Sequence, residues 1–231
     1  MKKLMNKNEP NCALCSFAIA DRLCRNMDGK FPPGCPTANK EECLKKALTE
    51  YEKPENCNFT KQASIQEGEG YDQKELGYEH VRPIKPRILE IVEFAQKMKY
   101  KRLGLVFCMG LRKEAKIVEK FFLSRDFQVV SVICKVGGVL KEKIGIKDEQ
   151  KVAVGTPEVM CNPIMQAFVL NDEKTEFNIL LGLCVGHDSL FFKYTDAPCT
   201  VLAVKDRLLG HNPLAAVYNI DGYYRALKKK L

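Results

Sequence analysis

From Pro83 onward, short apolar runs alternate with stretches whose apolar residues recur every three or four positions, and this alternation constrains the fold more than any single motif. A near-continuous apolar run reads as a strand covered on both faces, and the intervening pattern as a helix with one apolar side. PIKPRILEIVEFAQKMKY places apolar residues at 84, 88, 91, 95 and 98, one face of a helix. KRLGLVFC then reads as a strand, RKEAKIVEKFFLSRD as a helix with Ala115, Val118 and Phe122 on one side, and FQVVSVIC as a second strand. FNILLGLC and TVLAVKD supply two more strands, with PIMQAFVLND and DSLFFKYT as shorter helices. Strands joined through helices pair in parallel, so residues 83–231 are expected to form an α/β domain: a parallel Rossmann-like sheet with helices on both faces.

Cysteines punctuate that pattern. Cys108, Cys134 and Cys184 each end a strand. A parallel sheet brings the carboxyl ends of all its strands to one edge, where open α/β sheets build their crevice. In MCNPIMQAF, Asn162 suits an N-cap and Pro163 the first helical position, so Cys161 is expected just before a helix and near the same rim. The loops CMGL, CKVGG, CVGHD and LGHNP combine glycine with a helix start, and free N–H groups there stabilise thiolates. Four thiolates at one rim suit an iron–sulfur cluster or a zinc ion. The alternative is that each cysteine is a small buried hydrophobe. Cys199 precedes its strand and is expected at the opposite edge, binding nothing.

The first 60 residues have a different character. They carry six cysteines and the proline-rich FPPGCP, with few apolar runs apart from a short helix in EECLKKALTEYEK. Such a segment buries too little to order itself without a metal. Cys12-x2-Cys15-x8-Cys24-x10-Cys35 gives a close pair plus two further thiols, enough for a zinc tetrahedron, while Cys35-Pro36 resembles the end of an iron–sulfur motif. Cys43 and Cys57 stand in reserve. The expected organisation is a cysteine-rich metal-binding module at 1–60, a polar connector at 61–82 and the α/β domain at 83–231.

Eleven cysteines would mean disulfides in an oxidising compartment, but the count is odd and the N-terminus has no apolar core behind its positive start. A cytoplasmic protein with free thiols is expected. No stretch approaches the ~18 consecutive apolar residues of a membrane span. The net charge of +8, from 37 Lys and Arg against 29 Asp and Glu, is scattered among acids and lacks aromatic interleaving, so nucleic acid is not an expected partner. A small-molecule ligand or a redox partner is.

Two of the three histidines, His187 and His211, sit in Gly-His loops at the expected rim, as ligands, proton donors, substrate contacts or simple turn caps. His80 has no evident partner. Lys135, Asp188, Lys205 and Asp206 are charged residues at strand ends that solvation alone can explain. Cys184 with His187 three residues on could serve a thiol enzyme as nucleophile and base. A phosphatase loop fails, because Glu114 stands where its arginine would be. No nucleotide-binding glycine motif is present.

The segments FCMGL, CKVGG, MCNPI, GLCVGHD and VKDRLLGHNP, with CALC and CP near the start, resemble an uncharacterised bacterial and archaeal family of predicted metal-binding proteins, a domain of unknown function. The resemblance spans Cys12 to about Tyr224. It implies metal-binding candidates at Cys12, Cys15, Cys24 and Cys35 and functional candidates at Cys108, Cys134, Cys161 and Cys184, and it implies no reaction. Three expectations stand side by side: a metalloprotein with a redox-active rim, a zinc-stabilised non-catalytic module, and a thiol enzyme using Cys184 and His187.

Overall fold

The computed structural model describes residues 8–229 and divides the chain into two compact units, Met1–Ser64 and Ile65–Leu231.

In the first unit, short 3-10 turns at Cys12–Leu14 and Ile19–Asp21 precede α1 (Pro36–Asn39), α2 (Glu41–Glu52) and the start of α3 (Pro54–Glu69). A bridge between Arg22 and Lys30 folds the intervening loop back on itself. Gly29 sits against it so closely that a Cβ would lie 2.5 Å from the Arg22 carbonyl carbon. The helix expected in EECLKKALTEYEK forms as α2, with Lys45 ion-paired to Glu41 and Glu42 on its surface. Its apolar residues do not find a core: Leu44 and Leu48 remain 56% and 51% exposed. Among the described residues of this unit no hydrophobic side chain is buried.

Among the described residues, the buried apolar side chains all lie in the second unit. Gln66, in the last turns of α3, is buried, donating to Glu93 (2.7 Å) and accepting from Lys97 (2.6 Å). Two short strands, β1 (Tyr71–Asp72) and β2 (Arg82–Pro83), pair antiparallel. Next come α4 (Arg87–Lys97), β3 (Arg102–Phe107), α5 (Arg112–Leu123), β4 (Gln128–Ile133), α6 (Pro163–Asp172), β5 (Phe177–Leu181), α7 (His187–Tyr194), β6 (Cys199–Ala203) and α8 (Leu214–Tyr218).

Strands β3 to β6 form one parallel sheet in the order β4-β3-β5-β6, as the alternation of strands and helices predicts. The chain moves one way from β3 to β4 and the other way to β5 and β6. Right-handed crossovers then put α5 on one face and α6 and α7 on the other, where those two helices pack together. Strand residues alternate between the two faces. Val106, Val132 and Leu180 join Ala167, Leu170 and Phe191 in one cluster that also contains Cys134, 2% exposed. Burying a side chain such as Phe191 contributes roughly 2–3 kcal/mol, and this layer fixes the floor beneath the rim.

Candidate functional site

The register makes the rim. Phe107 lies opposite both Ile133 and Leu181, so β3, β4 and β5 end level with one another. Cys108 and Cys134 follow β3 and β4 directly, and Cys184 comes three residues after β5. Between β5 and Cys184 the chain turns at Gly182, whose φ of +69° suits glycine and whose Cβ would fall 2.0 Å from Leu111 Cδ1. Cys161 arrives from elsewhere in the sequence. Its neighbour Asn162 donates its backbone N–H to the Cys134 carbonyl at 2.8 Å, and the Asn162 side chain caps α6 by accepting from the Met165 N–H at 3.1 Å. The N-cap and Pro163 expectations both hold, and together they fix Cys161 beside Cys134.

All four thiols line one cavity of about 700 Å³, with Lys135, Lys205, Arg207, His187 and His211 also on its wall. Cys134 hydrogen-bonds to both Cys108 and Cys161 and accepts from the Met109 N–H at 3.3 Å. Cations hold the outer sulfurs: Lys205 Nζ lies 3.0 Å from Cys108 Sγ, and Arg207 Nη2 lies 3.0 Å from Cys184 Sγ. The hydrogen bond from Cys134, aided by Lys205 and the Gly110 N–H, lowers the Cys108 thiol to about 5. The same donor and His187 lower Cys161 to about 4. Cys134, which gives its hydrogen to these neighbours, is raised and stays protonated. Burial raises Cys184 despite Arg207. His187 is raised, chiefly by its bond to Cys161 and against the opposing effect of burial.

This pairing differs from the Cys184–His187 couple considered from sequence. The His187 backbone N–H does bond the Cys184 carbonyl at 2.9 Å, but the imidazole goes to Cys161. Spacing by three brings main chains together without directing the ring. Arg207 and the Lys141–Glu158 ion pair (2.7 Å) on the same wall were not anticipated. The only signal in sequence was the charged string VKDR directly after a strand.

The remaining thiols fall into place by element. Cys199 opens β6 at the opposite edge, its sulfur 3.4 Å from the Ala197 carbonyl oxygen. Cys12, Cys15, Cys24 and Cys35 line one cavity of about 300 Å³ in the first unit. There Arg22 ties down the loop through the Cys15 and Phe17 carbonyls at 3.0 and 2.9 Å. The Cys35 thiol is lowered chiefly by the Ala38 N–H. Cys43 and Cys57 are exposed on α2 and α3. His80 is exposed, its Nε2 3.9 Å from Glu79 Oε1.

By donor type both thiol sets fit zinc or an iron–sulfur cluster, since soft thiolates select those ions. By geometry each set shares a cavity without closing on a point: among the described residues no three Cys, His, Asp or Glu side chains stand as a metal shell. No helix among them is long and apolar enough to cross a membrane.

Comparison with known proteins gives two matches. Residues 35–202 match the family described as "Protein of unknown function (DUF1847)". The chain is also similar to the uncharacterized protein MJ0455 of Methanocaldococcus jannaschii, 43% identical over 192 residues, which is 83% of this chain and 90% of that protein. No solved structure matches the chain.

Proposed function

The chain belongs to the DUF1847 family of proteins of unknown function, and from the convergence of its thiols we propose that it is a cytoplasmic metalloprotein. One observation carries the reading: Cys108, Cys134, Cys161 and Cys184, from four separate segments, line a single cavity at the carboxyl edge of a parallel sheet. Cys108, Cys134, Cys161 and Cys184 would hold an iron–sulfur cluster or a zinc ion. A cluster there supplies electron transfer or reductive chemistry to a bound small molecule. The protein's own groups have defined parts. Lys205 and Arg207 neutralise sulfur charge, the Met109 N–H tunes Cys134, and His187 and His211 face the ligand space.

Cys12, Cys15, Cys24 and Cys35 would hold a second, structural metal. The absence of buried hydrophobic side chains among the described residues of their unit supports this, because such a segment needs another source of order. A second reading, a thiol enzyme, draws support from the Cys161–His187 pair, which makes Cys161 its nucleophile in place of Cys184.

Protein purified without oxygen tests these readings together. Brown protein with broad absorption near ~400 nm supports a cluster, and colourless protein with bound zinc supports a zinc centre. Metal-free protein that turns over a thiol substrate and loses activity in Cys161→Ala supports the thiol enzyme.

A further inference from the structure

The loop after β6 is organised around Asp206. Its carboxylate accepts from the Leu208 and Leu209 N–H groups at 3.0 and 2.8 Å. Its carbonyl accepts from the His211 N–H at 2.9 Å, and its own N–H donates to His211 Nδ1 at 3.1 Å. A ring nitrogen that accepts carries no hydrogen, so the neutral imidazole keeps its hydrogen on Nε2. His211 lines the thiol cavity, as do Lys205 and Arg207 from the same loop.

The backbone at His211 is costly. Its φ is 67°, the left-handed region, where a residue other than glycine gives up on the order of 1–2 kcal/mol. Of the other described non-glycine residues with positive φ, Lys99, Asp126 and Lys174 lie within three residues of the ends of α4, α5 and α6. A left-handed residue there closes the last helical turn. Gln73 lies away from the cavity, before a short 3-10 turn. His211 closes no helix; it follows Gly210, itself left-handed, and lines the cavity. Strain kept at a cavity wall, where glycine would relieve it, is a mark of function.

The donors around the cavity are unevenly committed. Lys205 and Arg207 donate to sulfur. Lys135 donates to the Val159 carbonyl and, as an ammonium, has further N–H groups. The one carboxylate on the wall, Glu158, is taken up by Lys141 and by the Val152 and Ala153 N–H groups. The wall therefore offers donors and positive charge with no carboxylate left to meet them. We propose that the cavity binds a small molecule through an anionic oxygen, a carboxylate or phosphate, that accepts from His211 Nε2–H and Lys135, with Asp206 as the positioning residue for the loop. This names the ligand class of the rim and rests on reading the rim as the reaction site, though not on which metal it holds.

The test uses full-length protein with 15N-labelled imidazoles, whose three histidines are separable by variant. Long-range 1H–15N spectra are expected to show the neutral form of His211 with its hydrogen on Nε2. Inorganic phosphate or acetate, added at constant ionic strength, is expected to shift that signal to saturation, while neutral acetamide leaves it unmoved. Stronger binding of phosphate assigns a phosphorylated ligand, and stronger binding of acetate a carboxylate. His211→Gly, which favours the existing backbone and removes the donor, and Lys135→Ala are each expected to weaken the probe at least about tenfold. Asp206→Asn is expected to weaken it too and to disturb the His211 tautomer. A hydrogen on Nδ1, an equal response to acetamide, no response to either anion, or unchanged affinity in His211→Gly overturns the proposal. Metal content separates the two readings. Wild-type protein that binds the anion but carries no metal refutes the metal centre and leaves this inference standing, whereas metal lost in His211→Gly makes His211 a ligand and overturns it.

Discussion

Lys205 Nζ rests 3.0 Å from Cys108 Sγ although 97 residues separate the two. They meet because β3 and β6 run parallel and each residue follows its strand on the same edge. Gly110 leaves room for the contact: a Cβ there would lie 2.8 Å from the ammonium nitrogen. Gly110→Ala is therefore expected to push Lys205 off the sulfur while the sheet stays intact. In metal-free protein, the pH midpoint for alkylation of Cys108 should rise above about 5, and the far-ultraviolet circular dichroism should not change.

Two further variants separate the causes of thiolate formation. Cys134→Ala removes the hydrogen shared by both neighbours, so the alkylation midpoints of Cys108 and Cys161 should both rise from about 5 and about 4. Lys205→Met should raise Cys108 and leave Cys161 unchanged. Thiol-by-thiol mass spectrometry after brief iodoacetamide pulses at several pH values measures both.

The same shifts set the pH dependence of stability in metal-free protein. Cys108 and Cys161 titrate near 9 when unperturbed and well below that in the fold, so their contribution is complete above pH 9 and is lost as pH falls toward 5 and 4. Cys134 is shifted the other way, and its contribution is complete below 9 and lost only above that value. Between pH 5 and 9 stability should rise, as urea melts across that range would record. A flat profile would mean the thiolates are not formed.

The two thiol sets should empty separately. Cys15→Ala is expected to remove one metal and Cys134→Ala the other, as elemental analysis of anaerobically purified variants can count. Chelation of the first metal should sharply increase proteolysis within residues 8–64, where no hydrophobic side chain is buried, and leave the sheet of the second unit protected.

Gly182→Ala should destabilise the second unit by about 2–4 kcal/mol, because it combines a left-handed φ with a clash against Leu111. Denaturant melts against the parent protein check this.

Much of the fold was legible because local signals agreed with one another. The runs ending in Cys108 and Cys134 are strands ending there, and Asn162 with Pro163 starts α6 where capping chemistry requires. The rim followed from topology alone, since parallel strands share an edge. What escaped was side-chain direction. His187 starts α7 with its backbone at Cys184 and its ring at Cys161, a distinction that spacing along a chain does not carry. Arg207 escaped for a related reason: a charged loop residue has no periodicity, and it reaches Cys184 only once the turn around Asp206 has closed. Near the N-terminus the spacing predicts a four-thiol metal site, and the four cysteines line one cavity.

Cys134 owns a single hydrogen and has two takers, Cys108 and Cys161. Both neighbours are lowered by that one thiol, so the three sulfurs are linked through Cys134. A cation settling among these three would have that proton to displace, from the most buried of the rim sulfurs. Loading of the rim would then be linked to that deprotonation and favoured as pH rises.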